Sequence, residues 1–129
     1  MYIGIVSPFP IQLIPNPSKS HWNKPIECDG ILIHIHGGGF VCQTTSQHQI
    51  YLRKWANENN MPVIMLSYTL APEAKYPEAI DECYQQYQWI LDNMEDSIGL
   101  KPKKILLSGD SAGGKIATCL IALAIWKIK

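Results

Sequence analysis

With 129 residues the chain is the size of one domain. Hydrophobic residues make up 47% and charged residues 17%, which supports a packed core and argues against wholesale disorder. Eleven Lys and Arg balance eleven Asp and Glu, so bulk electrostatics favour neither nucleic acid nor an anionic membrane surface.

The opening Met1-Tyr2-Ile3-Gly4-Ile5-Val6 has no basic n-region, and Pro8, Pro10, Pro15 and Pro17 follow at once. That is not the pattern of a signal peptide, so a cytoplasmic location is expected. Residues 1–30 are rich in proline and turn residues. They read as an irregular lead-in with one short strand near Ile11–Ile14, or as the remnant of a missing N-terminal region. Ile31-Leu32-Ile33-His34-Ile35 is a short β-branched run and predicts a strand buried on both faces. His36-Gly37-Gly38-Gly39-Phe40 ends it.

Ser46-Gln47-His48-Gln49 has the form of a capping box. It predicts a helix with Tyr51, Leu52, Trp55 and Ala56 on one face, stopped by Asn59, Asn60 and Pro62. Val63–Tyr68 predicts a second buried strand. Pro77-Glu78 opens a second helix, with Ile80, Cys83, Tyr84, Tyr87, Leu91 and Met94 on one face. Gln85, Gln86, Gln88 and Asp92 lie opposite, and Asp81-Glu82 reads as a solvated pair. Gly99 and Pro102 mark the exit. Lys104–Ser108 predicts a third strand, and Gly109–Gly114 a tight turn.

A third helix then runs toward the end, apolar almost all round from Ile116 to Trp126. That run is too short for a membrane span, which needs ~20 apolar residues. Strand and helix alternate three times, which argues for a parallel sheet with helices on both faces. The four cysteines show no C-x-x-C spacing, so reduced thiols are expected.

Two glycine turns carry the chemistry. Gly109-Asp110-Ser111-Ala112-Gly113 fits G-x-S-x-G between a strand and a helix, the context of a nucleophile elbow. Glycines two positions either side let neighbouring backbone pass, and the helix N-terminus favours negative charge beside the serine. His36-Gly37-Gly38-Gly39 supplies backbone N–H groups that can turn toward a developing oxyanion. Two other patterns overlap these turns. Gly109–Lys115 also reads as a P-loop lacking its last Ser/Thr, but Ile116 cannot ligate Mg²⁺ and Asp110 would repel phosphate. His34 and His36 form H-x-H, but no Asp-x-His follows, so a packed His34 and a loop-bracing His36 are expected and no metal is. His21 and His48 read as surface residues. No cofactor is implied.

Together these residues resemble the hormone-sensitive lipase family of α/β-hydrolases over about residues 31–126. The resemblance rests on His36–Phe40, Tyr68-Thr69-Leu70-Ala71-Pro72-Glu73, Tyr76-Pro77-Glu78-Ala79 with Asp81, and Gly109–Gly114. It implies an α/β-hydrolase fold, with residues 31–129 forming the N-terminal half of a catalytic domain. It implies hydrolysis of a small-molecule or lipid ester through an acyl-enzyme. Ser111 matches the nucleophile, and the N–H groups of Gly38, Gly39 and Ala112 match the oxyanion hole. His36 and Gly37 support that loop, Asp110 matches a structural carboxylate, and Leu70–Glu73 is architectural.

Lys115 departs from the family's usual asparagine. A larger departure follows Ser111. The family's orienting acid and general base come after the nucleophile, and the eighteen residues after Ser111 contain no His, Asp or Glu. The chain alone is therefore expected to be inactive. The strand before the elbow is expected to have an exposed edge, and the last helix to face water. The alternative is a non-catalytic module that pairs with a partner or a complementary half through that edge.

Overall fold

The computed structural model describes residues 3–11, 13 and 24–128. Strand β1 (Ile3–Val6) precedes β2 (Ile26–Cys28) and β3 (Ile31–Ile35). Helix α1 (Thr45–Asn59), strand β4 (Val63–Leu66) and helix α2 (Glu78–Asn93) follow. A single π-helical turn (Met94–Ile98) leads to β5 (Leu100–Pro102), β6 (Ile105–Gly109) and helix α3 (Ala112–Ile128).

The main sheet has the order β1-β4-β3-β6. β3 pairs in parallel with β4 on one side and with β6 on the other, while β1 pairs antiparallel with β4. β2 and β5 form a separate two-stranded parallel ladder. Strands β1 and β2 correct the expectation for residues 1–30. Their apolar runs are too short to show a period, and pairing with β4 and β5 decides them. The strand expected near Ile11–Ile14 falls partly on residues outside the described set, and Ile11 and Leu13 are not in a strand.

Alternate residues of each strand face opposite sides. Ile31, Ile33, Ile35, Ile64 and Leu66 join α2 and α3 in one core. Val63, Met65 and the half-buried Leu32 meet Leu52 and Ala56 of α1 on the other face. Helices therefore cover both faces, as the alternation predicts.

Two helices differ in phase from expectation. α1 starts at Thr45 with Thr44 as its N-cap, two residues earlier than the expected Ser46 cap, and the Thr44 N–H donates to Gln47 Oε1 at 3.0 Å. In α2 the buried stripe is Ala79, Ile80, Cys83, Gln86 and Ile90. Leu91 is exposed, and Gln86, expected outside, is 1% exposed. Its amide donates to the Ser67 carbonyl at 2.6 Å, a polar demand of the chain leaving β4 that apolar periodicity does not register. Glu82 is not a bare solvated carboxylate either. Its Oε2 accepts the Thr69 N–H at 2.8 Å and Oγ1–H at 3.1 Å, fixing the loop after β4.

Candidate active site

β3 and β6 run parallel and adjacent, with Ile35 opposite Gly109. Their C-terminal ends therefore deliver the loop 36–43 and the turn 109–113 to the same edge of the sheet. Ser111 occupies that turn at φ +50° and is exposed. A non-glycine residue in the left-handed region is uncommon and marks strain held by its surroundings. The surroundings are two glycines. A Cβ at Gly109 would collide with the Gly113 backbone, and one at Gly113 would fall on the Ile35 carbonyl oxygen. The Gly113 N–H donates to the Asp110 carbonyl at 2.8 Å, closing the turn. α3 begins at Ala112, whose N–H has no acceptor within the helix.

The loop after β3 is equally constrained. Gly38 and Gly39 sit at φ +101° and +62°, followed by Phe40 at +67°. The Val41 and Cys42 N–H groups both donate to the Gly38 carbonyl, at 3.1 and 3.0 Å. The Gly37 N–H donates to Asp110 Oδ1 at 3.1 Å, joining the loop to the serine turn. A Cβ at Gly37 would collide with the Asp110 carboxylate, so glycine is required for that approach.

His36 is buried and its Nδ1–H donates to the Gly37 carbonyl at 2.8 Å. It stacks on Tyr68 with centroids 4.4 Å apart. The Tyr68 hydroxyl donates to the carbonyls of His36 at 2.9 Å and Gly37 at 3.1 Å. Burial lowers the His36 pKa and pushes the Tyr68 hydroxyl up to about 12, so both stay neutral near pH 7. From the other side the Ala71 N–H donates to the Phe40 carbonyl at 2.8 Å, which ties the Leu70–Glu73 segment to the glycine loop. Phe40, Ala71, Pro72, Tyr76, Pro77 and Ile80 line an apolar cleft of about 340 Å³ beside it. Lys115 lies over the Tyr76 ring at 5.6 Å.

The sequence-predicted residues thus fall into one assembly: Ser111 and Ala112 on the turn, Gly37, Gly38 and Gly39 on the loop, and His36 and Asp110 bracing them. His48, expected on the surface, is instead 7% exposed under α1. Its ring lies 5.4 Å from His34 and 6.0 Å from His36. Burial, reinforced by His48, brings the His34 pKa down to about 4 against the pull of Asp110. The signal for His48 is its spacing from Leu52 and Ala56, four and eight residues on, which places all three on one helical face. His21 lies outside the described residues. The four cysteines are unpaired. Among the described residues no helix is long and apolar enough to cross a membrane.

A mostly parallel sheet flanked by helices, with a strained serine turn and a glycine loop at one edge, defines an α/β-hydrolase. Residues 32–127 match the family model described as alpha/beta hydrolase fold. The chain is 40% identical to hormone-sensitive lipase of Mus musculus over 82% of its own length and 13% of that protein. It is 41% identical to an esterase of Acinetobacter venetianus over 70% of its length and 28% of the relative. Among solved structures, the hyperthermophilic esterase of Pyrobaculum calidifontis superposes with a TM-score of 0.72 at 34% identity, over 78% of this chain and 32% of the other. This chain belongs to the hormone-sensitive lipase family of α/β-hydrolases. It spans less than a third of the length of each of these three relatives.

Proposed function

We propose that the chain carries the nucleophile and oxyanion-hole half of a serine carboxylic-ester hydrolase, and that it is inactive alone. The observation behind this reading is Ser111 at φ +50°, wedged between packed glycines and linked through Asp110 to the Gly37 amide. Ser111 Oγ attacks the ester carbonyl, forming a C–O bond as its proton passes to a general base; the ester C–O bond then breaks and the base returns that proton to the departing alcohol. The N–H groups of Gly38, Gly39 and Ala112 receive the developing oxyanion, and water then releases the acid. His36 and Asp110 position the loop and do not move protons.

A general base and its orienting acid are supplied from residues other than the eighteen after Ser111. Without them the rate is limited to roughly 10³–10⁴-fold over water, negligible beside an intact enzyme.

The test is a chimaera in which residues 32–127 replace the matched segment of the Acinetobacter esterase. It should hydrolyse p-nitrophenyl butyrate, and Ser111→Ala should cut kcat by about 10⁴-fold or more. A folded chimaera whose turnover survives Ser111→Ala would overturn the reading. The free 129-residue chain should show no Ser111-dependent turnover. A second reading, a module that pairs with a complementary half, draws on the open edge of β6 and the outward face of α3, where Ile121, Ile125 and Trp126 are exposed. A concentration-independent monomer in sedimentation would count against it.

A further inference from the structure

On the α1 face of the sheet, three side chains converge that the ester chemistry leaves unused as a group. His34 Nε2 lies 3.3 Å from His48 Nδ1 and 3.8 Å from Asp110 Oδ1, and His48 Nδ1 lies 3.4 Å from the same oxygen. The remote nitrogens are engaged elsewhere. His34 Nδ1 is 2.7 Å from Ser108 Oγ, and His48 Nε2 is 2.9 Å from Gln43 Oε1. An amide oxygen only accepts, so His48 Nε2 donates to Gln43, and in the neutral ring Nδ1 then presents a lone pair. If His34 Nδ1 donates to Ser108, its Nε2 presents a second lone pair, and the Asp110 carboxylate presents a third. The Tyr51 hydroxyl contacts both near nitrogens, 3.0 Å from His34 Nε2 and closer to His48 Nδ1, and it brings a single proton.

In that tautomer three acceptors meet around one proton, and they repel unless a cation lies among them. Four-coordinate zinc with bonds of about 2.0–2.1 Å places ligand atoms roughly 3.3–3.4 Å apart; the two separations from His48 Nδ1 match this, and the 3.8 Å between His34 Nε2 and Asp110 Oδ1 is wider and would close on binding. Imidazoles whose far nitrogen is held by a second group are the usual form of histidine at such centres.

We propose that His34, His48 and Asp110 form a binding site for a divalent transition-metal ion of the zinc class, closed by the Tyr51 hydroxyl or a water. Two nitrogens and one oxygen suit Zn²⁺ and its transition-metal neighbours and disfavour Mg²⁺ and Ca²⁺, which take oxygen. Asp110 is half-exposed and borders a cleft of about 480 Å³, which gives the ion an entry path. Because Asp110 Oδ1 also accepts the Gly37 N–H, the ion would clamp β3, α1 and the serine turn together. The site is thus a brace for the turn, independent of the ester reaction.

The metal-free 129-residue chain is titrated with Co²⁺ and then Zn²⁺. The expected result is one equivalent of Co²⁺ giving the intense visible bands of a four-coordinate centre, displaced by Zn²⁺. His34→Gln and His48→Gln should each weaken binding by about 100-fold or more, and Gln43→Ala by about 10-fold. Cys42→Ser should leave it unchanged. Should the histidine variants fail to fold, the wild-type spectrum and Gln43→Ala still decide the matter. A weak, six-coordinate Co²⁺ spectrum overturns the site. So does binding that is indifferent to these substitutions, or no binding at micromolar metal; the cluster is then a hydrogen-bond network with the proton on His34 Nε2.

Discussion

The β6–α3 unit is finished at one end and open at the other. Where β6 meets α3, Gly109 and Gly113 are packed so tightly that neither tolerates a Cβ, and Ile116 and Leu120 are fully buried. A few residues away in both directions, Ile105 and Leu106 lie exposed at the edge of the sheet, and Ile125 and Trp126 are 57% and 73% exposed. α1 makes the contrast sharper. It is the more polar helix, yet its Leu52 and Ala56 are fully buried, because it has a sheet face to cover. Apolarity along α3 therefore reports burial that its outer face does not find in this chain. The relatives extend well beyond the matched region.

The comparison can be broken by substitutions at either end. Gly113→Val places side-chain atoms on the Ile35 carbonyl and should destabilise the chain by about 4 kcal/mol or more, read as loss of the cooperative urea transition. Ile116→Ala, deeper in the same helix, should cost about 2–5 kcal/mol through the cavity it leaves. Tyr68→Phe removes the donor shared by the His36 and Gly37 carbonyls and should cost about 1–2 kcal/mol in a urea titration. Ile125→Ala should change stability by no more than about 0.5 kcal/mol. Equal costs at Ile116 and Ile125 would show that α3 is covered on both faces, and the contrast would fail.

Thiol reactivity sharpens the same map without mutation. Burial pushes the Cys83 thiol up to about 12, whereas Cys42 is exposed on the glycine loop. At pH 8 a disulfide reagent should modify Cys42 rapidly and Cys83 only on unfolding.

Most of this was legible in the sequence, and the exceptions share a cause. β4 announces itself by an unbroken apolar run, and β3 and α3 by runs interrupted only by His34 and by Thr118 between Ile116 and Trp126. The glycine loop and serine turn are visible because backbone collisions demand glycine at 37, 109 and 113. What escaped was set by partners distant in the chain. β1 and β2 exist through pairing with β4 and β5. Gln86 and Glu82 answer polar groups of the loop after β4. His48 is buried because α1 starts at Thr45 and turns that face onto His34. A polar residue on a buried face carries no periodic signal, and that is how the His34–His48–Asp110 cluster stayed hidden in a reading that began from H-x-H alone.

Ser111 as the residue of the attacking oxygen can be tested by covalent trapping. The most direct measurement is peptide mapping of the chimaera after exposure to a fluorophosphonate, an acyl-transfer mimic that traps activated serines. A single adduct on Ser111, absent after Ser111→Ala, is the expected result. An adduct on another residue, or ester hydrolysis by a chimaera that Ser111 labelling does not inhibit, would contradict it.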